Sequence, residues 1–319
     1  MRAGWLLVAL AAAPGAHAQP PQEGVQWLQK MFAATQRLSF SGTFIYQHGP
    51  RMETSRIVRV VDASGSHERL EVLDGTPREV VRHNDEVICY LPDTMTMKVD
   101  KKTVARPFPG LTAENVQDLG EHYTIRKGDV WRVAGMECQS IILEPKDTLR
   151  YGQRLCADLA TGMVLKAQTV GERNDVIEQF AFTEIKIGGV DRERLKSKFS
   201  GKGKDWRIEQ SDMSPANFTD LGWTFKAVPP GYRKVVQVKG RLGSHPDVGQ
   251  IVLSDGLAAV SVFIEPVASK AETVLGPSRQ GATNLYSRKV DEYMVTVVGE
   301  APTESVKAIA EGVAFRKPQ

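Results

Sequence analysis

Apolar and polar residues alternate along residues 40–99, and turn-forming residues interrupt the alternation at short intervals. Phe40, Phe44 and Tyr46 fall on one side of an extended segment, with Gly42 between them. Leu70 and Val72 oppose Arg69 and Glu71, and Val87, Cys89 and Leu91 oppose Ile88 and Tyr90. A period of two puts successive side chains on opposite faces of a strand. The interruptions are Gln47-His48-Gly49-Pro50, Asp62-Ala63-Ser64-Gly65-Ser66, Asp74-Gly75-Thr76-Pro77, His83-Asn84-Asp85 and Leu91-Pro92-Asp93. Their glycines, prolines, asparagines and aspartates supply the backbone angles of tight turns. The pattern predicts about six antiparallel strands joined by hairpins in one large curved sheet. Such a sheet must cover its apolar face, and a ligand is one candidate cover.

The flanking segments extend this picture. Gly24 to Thr35 reads as an amphipathic helix, with Val25, Leu28, Met31 and Phe32 on one face, placed to pack across the concave side. Arg106-Pro107-Phe108-Pro109-Gly110 breaks the chain. Thr112 then reads as an N-cap, with Leu111 and Val116 as a hydrophobic staple, for a short helix ending near Gly120. Strands are predicted at Tyr123–Lys127, Val130–Val133, Met136–Glu144, Leu149–Ala157, Val164–Val170 and Val176–Ile187. The composition shifts at Arg192, Arg194, Lys196, Lys198, Lys202 and Lys204, a basic run broken by Gly201 and Gly203. An interdomain linker is expected at residues 198–214. It would be either a contact for an acidic partner or anionic head group, or a solvated spacer extended by self-repulsion. The second module, 215–319, reads as a small sheet. Its strands lie at Trp223–Val228, Arg233–Val238, Gln250–Ser254, Ala258–Glu265, Thr283–Arg288 and Tyr293–Val298. A helix from Thr303 to Val313 covers it, with Val306, Ile309, Ala310 and Val313 facing inward. The fold class is therefore β-rich α+β in two domains: an N-terminal curved antiparallel sheet with plugging helices, and a small C-terminal antiparallel sheet covered by one helix.

The first residues read as a secretion signal. Arg2 is the positive n-region, Trp5 to Ala13 an apolar run, and Ala16-His17-Ala18 a cleavage site, so residues 1–18 would be removed. No other stretch reaches the ~18 apolar residues of a membrane span, and no cysteine follows the signal to accept a lipid. The charge of +3 from 41 basic and 38 acidic residues does not suggest a nucleic-acid partner. In an oxidising compartment, Cys138 and Cys156 would face each other if their hairpin turned at Asp147. They are either a disulfide or two small buried hydrophobes, and Cys89 is left over.

Catalytic and cofactor motifs are missing from the sequence. His48, His67, His83, His122 and His245 do not pair with Cys, His or Glu at zinc-ligand spacing. There is no Gly-x-Ser-x-Gly elbow, and Lys202-Gly203-Lys204 lacks the spacing of a phosphate loop. Asp255 in Ser254-Asp255-Gly256 is what a tight hairpin requires. No enzyme activity, cofactor or metal site is expected.

The strand run resembles the RseB/MucB family of sigma-factor regulators. Ser39-Phe40-Ser41-Gly42-Thr43-Phe44-Ile45-Tyr46-Gln47-His48, His67-Glu68-Arg69-Leu70-Glu71, Leu73-Asp74-Gly75 and Pro77-Arg78-Glu79-Val80 carry the likeness in the first module. In the second it rests on Leu221-Gly222-Trp223, Leu253-Ser254-Asp255-Gly256-Leu257-Ala258, Val260-Ser261-Val262-Phe263 and Val297-Val298-Gly299-Glu300. The resemblance implies an N-terminal domain (19–197) like the lipoprotein carriers LolA and LolB, an incomplete β-barrel whose helices plug a hydrophobic cavity. It also implies a periplasmic protein whose C-terminal domain and linker bind the periplasmic segment of an RseA/MucA-type anti-sigma factor. That segment would be shielded from site-1 proteolysis until lipopolysaccharide or another acyl lipid releases it. Pocket candidates are the apolar strand positions Phe44, Tyr46, Ile57, Val60, Leu70, Val72 and Tyr90, which would otherwise be ordinary core. Partner-contact candidates are Lys202, Lys204, Tyr232, Arg233, Asp255 and Arg288, which would otherwise be plain surface. A lipid or lipoprotein carrier is the alternative function, and self-association into a homo-oligomer is left open.

Overall fold

A computed structural model describes residues 21–100, 116, 118–201, 205–226, 228–267 and 275–317. The secretion signal, the breaker at 106–110, the Thr112 cap with its Leu111 staple, and Lys202 and Lys204 lie outside the described residues. The chain opens with helix α1 (Pro21–Arg37), which starts earlier than predicted, at a proline whose missing N–H costs nothing in a first turn. Strands β1 (Phe40–His48), β2 (Arg51–Asp62), β3 (Gly65–Val72), β4 (Glu79–His83), β5 (Glu86–Leu91) and β6 (Thr96–Asp100) form the predicted run of hairpins. A one-turn helix, α2 (Leu119–His122), leads into β7 (Tyr123–Val133), β8 (Met136–Pro145), β9 (Gly152–Asp158), β10 (Val164–Val170) and β11 (Val176–Ile187). The two strands predicted at 123–133 are one strand, carrying an irregularity between Lys127 and Val130.

These strands form one antiparallel sheet in the order β7-β8-β9-β10-β11-β1-β2-β3-β4-β5-β6. α1 lies in its concavity. Leu28 and Met31 of the helix are buried in one cluster with Phe40, Phe44, Ile57, Phe180 and Phe182. The rings of Phe40, Phe44, Phe180 and Phe182 meet edge to face, at 5.8–6.3 Å between centroids. The buried Arg59 guanidinium pairs with Glu68 and donates to the carbonyl of Thr35 at 2.7 Å, pinning the last turn of α1 to the sheet. Gly24 lets the helix approach β7 closely, since a Cβ there would meet Ile125 at 2.7 Å.

The cysteine hairpin closes on a longer connection than predicted. Cys138 stands opposite Asp158, and Cys156 opposite Ser140, so the two cysteines are diagonal rather than directly opposed. They are nevertheless bridged, their Cα atoms 5.4 Å apart and within the span of a disulfide. The correction comes from Leu149–Tyr151, which stay in the connection while β9 begins only at Gly152.

Residues 207–214, expected as part of the linker, and Pro215, expected to open the second module, form strand β12 (Arg207–Pro215). Arg207–Ser211 pair in parallel with β6. Asp212–Pro215 pair antiparallel with β14 of the second module, so a single strand belongs to both sheets. Its sequence, RIEQSDMSP, shows no alternation because main-chain pairing and not a buried face holds it.

The second module comprises β13 (Trp223–Phe225), β14 (Arg233–Leu242), β15 (His245–Ser254), β16 (Ala259–Pro266), β17 (Gly276–Gln280), β18 (Thr283–Val290), β19 (Tyr293–Gly299), α3 (Thr303–Gly312) and β20 (Val313–Phe315). Its sheet runs β12-β14-β15-β16-β19-β18-β17, and β13 pairs with β20 beside it. Val306, Ile309, Ala310 and Val313 are buried against Ile251, Val260, Val262 and Val297. The polar edge strand β17 was not predicted.

Candidate functional site

Register decides which candidate pocket residues share a face. Directly opposed residues of an antiparallel pair point the same way. Ile57 stands opposite Gly42 and Leu70, Ser55 opposite Phe44 and Val72, and Glu53 opposite Tyr46. Phe44, Tyr46, Ile57, Leu70 and Val72 therefore share the inner face, over which α1 lies. Val60 stands opposite His67, and Tyr90 opposite Glu79, so both belong to the outer face, contrary to expectation. Apolar character does not separate the two faces there, because the outer face is covered as well. A short helical turn, Arg192–Leu195, lies over it, and Tyr90 packs against Phe199 and Trp206 at 5.9 and 6.0 Å between ring centroids. Arg192 and Lys198 of this covering segment meet acids of the sheet itself. Arg192 pairs with Asp62 at 2.6 Å, Lys198 pairs with Glu71, and Arg69 beneath them pairs with Glu79 at 2.7 Å. Lys198 and the nearby arginines hold the Glu71 carboxyl below its usual range against the opposing effect of burial, which is the largest single influence on it.

At the end of the inner face lies a polar group of a different kind. The Tyr46 hydroxyl donates to the Glu178 carboxylate, and Nδ1 of His48 lies 3.8 Å from the same carboxylate. Burial, with the nearby Glu300 charge, raises the Glu178 carboxyl above the ordinary range although the Tyr46 hydrogen bond opposes it. Burial and the Glu178 hydrogen bond push the Tyr46 phenol far up. A carboxyl whose folded-state value is raised lowers stability as pH climbs through that value, and the penalty is absent in acid where both states are protonated. Glu178→Gln keeps an acceptor for Tyr46 and removes the charge. It should raise Tm near neutral pH, with a gain that shrinks towards about pH 4, near the intrinsic carboxyl value. Melting curves of the two proteins across this range check it, and a gain independent of pH contradicts it.

The two modules meet along a sealed seam. Arg150, from the β8–β9 connection, and Asp255, from the β15–β16 turn, both have side chains 0% exposed and lie 3.3 Å apart. Arg150 also donates to Asp147 at 3.1 Å and to the Pro230 carbonyl, and lies over the rings of Tyr123 and Tyr232. Tyr123 donates to Asp255 at 3.0 Å, and its phenol is driven up by burial and then by the Asp255 charge. Asn284 donates to the Tyr151 hydroxyl at 2.8 Å, and Ser305 donates to the Leu149 carbonyl.

The described partner-contact candidates are committed within the chain. Asp255 and Tyr232 lie buried in the seam, where they were expected at the surface. Arg233 crosses the seam to Asp118 at 3.1 Å and stays largely exposed. Arg288 donates to the carbonyls of Ala310 and Val313 at the end of α3, where a cation meets the negative end of the helix. Tyr232, Arg233 and Asp255, chosen as places to meet a partner, are where these modules meet each other. Arg150 and Tyr123 escaped the sequence reading, because Asp255 lies 105 residues from the first and 132 from the second.

These features define a two-domain, sheet-built protein whose modules share a strand and a buried charged seam. The chain belongs to the MucB/RseB family: the family's N-terminal domain matches residues 23–215 and its C-terminal domain residues 217–314. The sigma factor AlgU regulatory protein MucB of Pseudomonas aeruginosa is 30% identical over 317 residues, 97% of this chain and 96% of the relative. The sigma-E factor regulatory protein RseB of Haemophilus influenzae is 23% identical over 297 residues, 91% of each. The solved complex of P. aeruginosa MucA and MucB contains a chain 27% identical to this one, with a TM-score of 0.71 over 93% of this chain and all of that one. A crystal structure of MucB with MucA(peri) matches at 27% identity, 92% of this chain, all of that one and a TM-score of 0.70.

Proposed function

We propose that this protein is a periplasmic negative regulator of an envelope-stress sigma factor. It binds the periplasmic segment of an RseA/MucA-type anti-sigma factor and shields that segment from site-1 proteolysis. Acyl lipid or lipopolysaccharide reaching the inner face of the N-terminal sheet releases it. The observation that carries this reading is the likeness over nearly the whole chain to MucB, a protein solved in complex with MucA(peri). The lipid arm rests on the resemblance and on the apolar character of the inner face. Phe44, Ile57 and Val72 are buried there, and Tyr46 and Leu70 are partly buried. Side chains of α1 fill this concavity, so an acyl chain must displace something, at a gain of about 0.8 kcal/mol for each CH₂ it buries. The strand shared by the two sheets argues against a carrier acting through the first module alone.

The test is a titration of the full chain against the periplasmic segment of its cognate anti-sigma factor, with and without lipopolysaccharide, followed by digestion with the site-1 protease. Saturable binding that slows cleavage and is reversed by lipopolysaccharide is expected. No binding to the segment, with lipid still bound, would leave a carrier as the better account.

A further inference from the structure

One side chain of the second module reaches the core of the first. The N-terminal cluster of α1 and its sheet is built from residues 28–182, and among the described residues packed against it Leu257 comes from the C-terminal module. Leu257 sits on the turn between β15 and β16. The turn is wired locally: Oδ1 of Asp255 accepts from the backbone N–H groups of Leu257 at 3.0 Å and Ala258 at 2.8 Å, and Ser254 donates to the Ala258 carbonyl at 2.8 Å. Gly256 supplies the left-handed angle, φ +98°, that the turn requires. The other oxygen of Asp255 receives Tyr123 and Arg150. The same carboxylate thus shapes the turn that presents Leu257 and ties that turn to the first module.

From this arrangement we infer that the 254–258 turn is an autoinhibitory plug: Leu257 occupies part of the N-terminal core, so an acyl chain entering that core and the docking of the C-terminal module oppose each other. The inference rests on the lipid arm of the proposed function and names the element that transmits it. Among the described elements touching this core, the turn is the one that comes from the second module, so its displacement bears directly on docking. α1 carries fully buried Leu28 and Met31 and is fastened by Arg59 to Thr35, by Lys127 to Glu23 and by Lys30 to Leu159. Leu257 is only partly buried, and five residues carry it. Because Asp255 lies two residues away, a small shift of Leu257 strains a fully buried ion pair, which tolerates little displacement before its pairing is lost. Coupling of this kind is reciprocal: whatever the docked turn takes from lipid affinity, bound lipid takes from docking.

The experiment uses the full chain and cis-parinaric acid, a fluorescent fatty acid, as the probe. Leu257→Ala should bind it about tenfold more tightly than the unmodified chain, equivalent to about 1.4 kcal/mol. In the unmodified chain, probe binding should speed amide hydrogen exchange across residues 254–258, a measurement that decides alone if the variant does not fold. Equal affinities with unchanged exchange, while both proteins bind the probe, would overturn the plug and leave lipid binding standing. If neither protein binds the probe, the lipid arm fails and the plug falls with it.

Discussion

Arg150→Ala is expected to cost about 3–5 kcal/mol, because removing one partner of a buried ion pair leaves the other charge uncompensated. Arg150 touches Asp255, Asp147, the Pro230 carbonyl and two tyrosine rings, so its loss opens the seam at several points together. Arg150 touches one ring of each domain core, Tyr123 and Tyr232, and the damage should fall mainly on the docking of the two modules. Urea unfolding followed by tyrosine and tryptophan fluorescence should change from one transition to two, the mark of domains that no longer unfold together. The double variant Arg150→Met, Asp255→Asn removes both charges, and the asparagine oxygen can still accept from Leu257 and Ala258. It should recover most of the loss. A double variant as unstable as Arg150→Ala would mean that packing around the guanidinium, and not its charge, holds the seam.

Loss of the Cys138–Cys156 bridge is the second large effect. The bridge closes a separation of 18 residues, for which chain entropy gives about 3 kcal/mol. At roughly 2–4 °C per kcal/mol for domains of this size, Cys138→Ser with Cys156→Ser should melt about 6–12 °C lower. Both cysteines are buried, at 0% and 7% exposure, so reductant should act mainly on the unfolded chain. Intact mass after denaturation and alkylation should show one group added, at Cys89, and three only after reduction. Three additions without reduction would refute the bridge.

Period-two alternation located most of the first sheet, and β10 and β11 begin and end where the pattern says. It works because β1 and β11 lay alternate residues on an apolar interior. Val60 and Tyr90, picked as apolar strand positions, fall on the other face because a strand covered on both faces offers apolar residues to each side, and the outer cover comes from residues more than a hundred positions along the chain. β12 was invisible for the opposite reason: its partners hold its main chain, so its side chains carry no signal. Asp255 was read correctly as the residue a tight turn wants. That its second oxygen serves a distant arginine is a property of the folded arrangement, and a sequence window around either residue contains nothing of the other.

The shared strand also bears on how this architecture can be inherited. A chain ending at residue 197 would present β6 as a bare edge, with Tyr90 stripped of Phe199 and Trp206. Bare edges of that kind recruit other strands. A chain beginning after Pro215 would take from β14 its neighbour in the sheet. Neither half is a finished piece that recombination could lift out and splice elsewhere at this joint. A cut at this joint exposes an unpaired edge on both sides at once.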